Sequence, residues 1–171
     1  MRKKLKLVFV SLFLGFTGLV NAQTTDVVDV AIGSKDHTTL VAAVKAADLV
    51  NTLKGAGPFT VFAPANSAFD KLPKGTVESL LKPENKAALA NILTYHVVAG
   101  NLKAADVLEA IKAGKGKAVV KTVQGENLTA TLENGKVILT DAKGGKATVT
   151  ATDLTATNGV IHVIDSVLMP K

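Results

Sequence analysis

Glu133-Asn134-Gly135-Lys136 commits the chain to reverse on itself. Asn-Gly suits a two-residue type I′ turn, because both central positions need positive φ. The flanks alternate as strands do, with Leu128-Thr129-Ala130-Thr131-Leu132 before the turn and Val137-Ile138-Leu139-Thr140 after it. Ala147–Thr152 and Val160–Leu168 predict further strands. Upstream the period changes. Across Thr38–Lys54, Leu40, Val44 and Ala47 recur at helical spacing, and Gly55-Ala56-Gly57-Pro58 stops the run. Phe59-Thr60-Val61-Phe62-Ala63 reads as a short strand ended by Pro64, and Asn66 as the N-cap of a helical turn through Phe69. Pro83 opens the next helix, with Leu89, Ile92 and Leu93 as its buried stripe. Ala104–Lys112 repeats the pattern with Val107, Leu108 and Ile111, and Gly114 closes it. Helices first and strands afterwards predict an α+β domain with an antiparallel sheet.

The first residues carry a different signal. Arg2, Lys3, Lys4 and Lys6 precede an almost wholly apolar run from Leu7 to Val20, and Val20-Asn21-Ala22 ends it. This is the pattern of a secretory signal peptide cut between Ala22 and Gln23. The apolar run falls short of the roughly 20 residues that a spanning helix needs, so no transmembrane anchor is expected after cleavage. Residues 1–22 are thus read as signal and 23–171 as one domain. Of the formal charge of +6 at pH 7, four basic residues lie in the signal with no acids beside them, which leaves +2 for the rest. A nucleic-acid reading based on overall basicity therefore loses most of its support.

There is no cysteine. That excludes disulfides, thiolate metal sites, a thiol nucleophile and a cysteine-linked lipid anchor. A domain of about 150 residues can be held by its core alone, since such a chain buries roughly 70% of its unfolded surface. Past the signal the aromatics are few, namely Phe59, Phe62, Phe69 and Tyr95, so Val, Ile, Leu and Ala fill the core.

Three segments carry a family resemblance. Phe59-Thr-Val-Phe-Ala-Pro-Ala-Asn-Ser-Ala-Phe69 resembles the first signature of fasciclin domains, and Asn158-Gly-Val-Ile-His-Val-Ile-Asp-Ser-Val-Leu168 is similar to the second. Between them Ile92-Leu-Thr-Tyr-His-Val-Val98 looks like the family's Tyr-His segment. The resemblance covers about residues 26–169. It implies a wedge of two small sheets with helices packed around it. It also implies an extracellular, cell-surface or periplasmic location, and a role in adhesion or matrix association rather than catalysis. The implied partner is a surface or matrix protein or polymer. In animal matrix members, integrin contact is attributed to the Tyr-His segment and to an Asp-Ile pair before the second signature. Tyr95-His96 matches the first, and Asp153-Leu154 stands at the second, though Ala151, Thr152 and Thr155 depart from the matrix pattern. The signal pattern and the missing cysteines point to a bacterial exported protein.

Tyr95, His96, Asp153 and Leu154 are therefore the candidate partner-binding residues. Each has a structural alternative. Tyr95 can be a core wedge or an interface anchor. His96, between apolar neighbours, can be a buried histidine hydrogen-bonded to backbone. Gly159, after Asn158, reads as a turn glycine that permits positive φ. His37, near a helix start, reads as solvated. No Gly-x-Ser-x-Gly elbow occurs, and nothing in the spacing of the three histidines gives a metal site, so no catalytic residue, metal or cofactor is assigned. Lys112–Lys117 and Lys143–Lys146 lack phosphate-loop spacing. They read as solvated turns, or as a weak electrostatic patch for acidic surface polymers. A carrier for a small apolar ligand in the envelope is the alternative function.

Overall fold

The computed structural model describes residues 25–171. The signal-peptide reading and the Ala22/Gln23 cleavage site lie outside the described residues. Helix α1 (Val27–Gly33) starts where the Asp26 carboxylate accepts from the amides of Val28 and Asp29, both at 2.9 Å. Lys54 then pairs with Asp26 and Asp29 at 3.1 and 2.7 Å, tying the helix start to a segment 25 residues further on. The run predicted as one helix over Thr38–Lys54 is two, α2 (Thr38–Ala46) and α3 (Val50–Leu53). The break falls at Asp48, whose φ of 59° no α-helix accommodates. Strand β1 (Phe59–Pro64) and the short helices α4 (Asn66–Asp70) and α5 (Thr76–Leu80) follow. Pro83 opens a 3-10 turn, Pro83–Asn85, rather than the α-helix itself, which is α6 (Lys86–Tyr95).

Then come β2 (Val97–Ala99), α7 (Ala104–Ala113), β3 (Lys117–Lys121), β4 (Asn127–Glu133), β5 (Lys136–Thr140), β6 (Lys146–Ala156) and β7 (Gly159–Ile164). The β4–β5 hairpin turns where the sequence requires it, with φ of 52° at Asn134 and 77° at Gly135.

The strand order is β2-β1-β7-β6-β5-β4-β3. Strand β6 is long enough to serve two ladders. Its first residues pair with β5 (Lys146 to Thr148), and its later ones pair with β7 (Val149 to Ala156) across two register shifts. At the other side the free edges meet, where Val98 bridges Thr122 and the Val123 amide donates to Val97 at 2.7 Å. Two sheets joined at β6 and touching at β2/β3 make the wedge. The sheet is mixed rather than wholly antiparallel, because β1 and β7 run parallel, from Phe59↔Gly159 to Pro64↔Ile164. Those two strands come from opposite ends of the domain, and every other pairing is antiparallel.

Alternation divides the core in two. Phe62 and Ile164 join Tyr95, Val107, Ile111, Leu128 and Leu139 inside the wedge, with α7 as its lid. Val61 and Ile161, on the opposite faces of the same strands, pack with Leu40, Val44, Leu53, Leu89 and Leu93 from α2, α3 and α6. No described helix is long and apolar enough to cross a membrane.

Candidate partner-binding surface

Helix α6 delivers Tyr95 and His96 into the core, at 0% and 2% exposure. The Tyr95 hydroxyl donates to the Asn127 carbonyl at 3.2 Å and accepts the Ala142 amide at 3.0 Å, joining α6 to the ends of β4 and β5. His96 Nε2 accepts the Leu168 amide at 3.0 Å, so the proton of the neutral ring resides on Nδ1 and is donated to the Ile92 carbonyl at 2.8 Å. Burial pushes the His96 pKa down to about 4, against a weaker opposing effect of the Ile92 carbonyl. Burial likewise raises the Tyr95 phenol above its ordinary value.

Asp153 and Leu154 lie elsewhere, on the exposed stretch of β6. Asp153 has φ of 58°, and its Oδ1 accepts the Ala104 amide at 2.9 Å, which caps the start of α7. Its own amide faces His162 Nδ1 at 3.3 Å, while His162 Nε2 donates to the Leu102 carbonyl at 2.7 Å and the ring stacks on Phe62 at 5.7 Å. The four sequence candidates therefore form two separate pairs, one inside the wedge and one on its outside.

Leu154, 39% exposed, lies on the wall of an open groove of about 480 Å³. Ser34, Asp36, His37, Asn66 and Ser67 line the opposite side, and Thr150, Ala151 and Val163 line the near side. Sequence reasoning missed this groove, because two of its builders act differently from their local pattern. Asn66 does not cap its own helix. Its Oδ1 accepts the Thr39 amide at 3.1 Å and the Thr38 hydroxyl at 3.2 Å, and its Nδ2 donates to the Lys35 carbonyl at 3.0 Å, so it caps α2 from a distance. His37 is buried at 4% exposure rather than solvated. Its Nδ1 meets Ser34 Oγ at 2.8 Å, Nε2 makes no hydrogen bond, and burial lowers its pKa despite the opposing effect of Asp36.

A small apolar cavity between α1, α2, α3, α6 and β1 is lined by Val28, Leu40, Val44, Val61 and Leu93. Its volume of about 30 Å³ is room for a water-sized guest, far below the roughly 150 Å³ that admits benzene. Among the described residues no three His, Asp or Glu side chains gather as a metal site.

Comparison with known proteins places this architecture. The fasciclin domain model matches residues 35–170. Protein sll1483 of Synechocystis sp. is 52% identical over 158 residues, 90% of this chain and 81% of that one. Immunogenic protein MPB70 of Mycobacterium bovis is 38% identical over 157 residues, 88% of this chain and 72% of that one. Transforming growth factor-beta-induced protein ig-h3 of Sus scrofa is 41% identical over 145 residues, 84% of this chain but 19% of that longer protein. A domain pair from the insect cell adhesion molecule fasciclin I shares the fold with a TM-score of 0.74 at 20% identity, over 85% of this chain and 51% of that one. The chain belongs to the fasciclin domain family.

Proposed function

We propose that this protein is an exported, non-enzymatic binding module that mediates adhesion or surface association through protein or polymer contacts. The observation that carries this reading is the family match, which spans residues 35–170 and includes the fold of a domain pair from a cell adhesion molecule. Burial favours Leu154 over the Tyr-His pair as the contact. Tyr95 and His96 hold the wedge together from within, whereas Leu154 offers an apolar side chain beside a groove rimmed by the hydroxyls of Ser34, Ser67 and Thr150. An exposed apolar anchor ringed by polar groups is the usual composition of a small interface.

Binding of the purified protein to intact host cells, measured against a size-matched inert protein, tests the reading. Saturable binding that Leu154→Asp weakens while the melting temperature stays unchanged is the expected result. Binding no stronger than the inert control overturns it. The alternative, a carrier of a small apolar ligand, requires the cavity beneath α1 and α2 to expand several-fold. Native mass spectrometry of protein taken from its host would reveal such a ligand as added mass.

A further inference from the structure

The excess positive charge of the described chain is confined to one part of it. Positions 25–113 carry nine lysines and nine acids, whereas positions 114–171 carry seven lysines and five acids. All five of those acids are engaged within the molecule. Asp141 accepts the amides of Lys143, Gly145 and Met169. Asp153 caps α7, Asp165 accepts the Thr148 amide and pairs with Lys71, Glu126 accepts the Lys171 amide, and Glu133 pairs with Lys146 at 2.9 Å. Among the described residues, Lys115, Lys117, Lys121, Lys136 and Lys143 form no ion pair.

Strand register collects several of these lysines on one face. Ala118, Ala130, Leu139 and Ala147 point into the wedge, so alternation turns Lys117, Val119 and Lys121 of β3 outward. Across the sheet Lys117 stands in line with Thr131, Ile138 and Thr148, and Val119 with Thr129, Thr140 and Lys146. The result is a face of threonine hydroxyls flanked by lysines, with Val119 at 59% exposure among them. Lys117 and Lys121 lie about 13 Å apart along β3, at roughly 3.3 Å per residue. This arrangement suits a linear ligand that repeats a negative charge and offers hydroxyls between charges. It does not suit nucleic acid, since the face carries no aromatic or arginine on which a base could stack.

We propose that the outward face of β3 to β6 binds an acidic polysaccharide, with Lys117 and Lys121 pairing its carboxylates and the threonine rows meeting its hydroxyls. The inference rests on the reading of the chain as a binding module and deepens it by naming the chemistry of one partner. The face is distinct from the Leu154 groove, which involves β6 from Thr150 onward.

The test is binding of the purified protein to an immobilised linear polyuronate, with neutral dextran and single-stranded DNA as comparators, at rising ionic strength. Binding to polyuronate that weakens with salt, and that Lys117→Glu/Lys121→Glu lowers by about tenfold or more, is the expected result, because surface charge pairs are screened within about 10 Å at 0.1 M salt. Lys35→Glu/Lys74→Glu should leave binding unchanged. If the β3 reversals lower the melting temperature, Lys117→Gln/Lys121→Gln removes charge without repulsion and must still weaken binding. No polyuronate binding at low salt overturns the proposal, as do equal losses in both variant pairs, equal binding to dextran, or tighter binding to the DNA. Protein that ignores polyuronate but still binds cells would overturn the polysaccharide inference alone, whereas loss of both would overturn the adhesion reading.

Discussion

The backbone amide of Leu168 donates to Nε2 of His96 across 3.0 Å, so one imidazole at the end of α6 holds the last residues of the chain. The same ring donates from Nδ1 to the Ile92 carbonyl, and His96 and Leu168 are both buried. A proton added at Nε2 would face the Leu168 N–H with no acceptor, in a site buried from solvent. This is why burial dominates and the His96 pKa falls to about 4.

A pH dependence with a definite sign follows. The unfolded chain takes up this proton near the ordinary histidine value of 6.5, the folded chain only near 4. Between those values the unfolded state binds more protons, so stability rises with pH. Stability should therefore be full above pH 6.5 and fall as pH drops toward 4, by about 3 kcal/mol at 1.36 kcal/mol per pKa unit. His37 is shifted in the same direction by burial, and His37→Asn isolates its part. Asp26 and Asp165, whose pKa values are lowered, lose their contributions only as pH falls below the ordinary carboxylate value of 3.8, outside this window. Denaturant unfolding across the pH series checks the sign. His96→Gln should be less stable at pH 7 but show a flatter slope between pH 6.5 and 4, and an unchanged slope would refute the assignment.

Asp153 and Leu154 should separate cleanly under substitution. Asp153 caps α7 through Oδ1 and adopts φ of 58°. Asp153→Ala loses the cap and places an alanine in the left-handed region, each at a cost of about 1 kcal/mol. Asp153→Asn keeps an acceptor and a side chain that tolerates this backbone, so its loss should be under about 1 kcal/mol. Leu154→Ala removes a partly exposed side chain and should leave the melting temperature nearly unchanged. A Leu154 variant as unstable as Asp153→Ala would place Leu154 in the core rather than on a contact surface.

Gly159→Ala should be among the most damaging single-methyl changes in the domain. An alanine Cβ here would overlap the Phe59 carbonyl, because β7 enters the sheet directly against β1. Gly159 is absent from the glycines with positive φ, so its role is close approach and not turn conformation, contrary to the sequence reading. Backbone cannot rotate aside as a side chain can, and overpacking of this kind costs about 3 kcal/mol. Thermal unfolding should show a drop of several degrees. A drop comparable to that of an exposed Gly→Ala change would mean that β1 and β7 part easily.

The elements legible in the sequence were those whose cause is local. The β4–β5 hairpin needed only Asn134-Gly135 and alternating flanks, and α7 needed only its apolar period and Gly114. What escaped was set by distant partners. Lys117–Lys121 is assigned no strand from sequence, its Ala-Val-Val core being short and bracketed by lysines, yet β4 recruits it as an edge strand through Ala118 and Val120. Asn66 looks like a cap for its own helix, yet the α2 amides lie within its reach. The parallel β1–β7 pairing cannot be read locally, since neither strand announces the other. Of the candidate site, the signatures singled out four residues but not their burial, which sets Tyr95 and His96 inside the wedge and leaves Leu154 exposed. Tyr95 and His96 hydrogen-bond to distant strands and to the Leu168 amide from within the wedge, and His37 is buried where its own turn, through Ser34, meets Ala65, Asn66 and Ser67.

Asn158 makes the same point in one side chain. Its Oδ1 accepts the Val27 amide at 3.0 Å, and its Nδ2 donates to the carbonyls of Leu53 and Gly55 at 2.7 and 3.1 Å. It thereby fastens α1, the end of α3 and the start of β7 together, and its own carbonyl accepts the Phe59 amide at 2.9 Å. Asn158→Ala leaves one donor and two acceptors without their partner in a half-buried place, a loss of about 2–3 kcal/mol at roughly 1 kcal/mol per bond. Asn158→Asp should be worse at neutral pH, although it is the smaller change in shape. The carboxylate can still accept from Val27, but it turns an anionic oxygen toward two carbonyls where two N–H donors had been. Protonating that carboxylate would restore a single donor, so Asn158→Asp should narrow its deficit relative to Asn158→Ala as pH falls toward 4, even as the His96 effect lowers both. Parallel pH–stability curves for the two variants would show that Nδ2 contributes little and that the clasp works through Oδ1 alone.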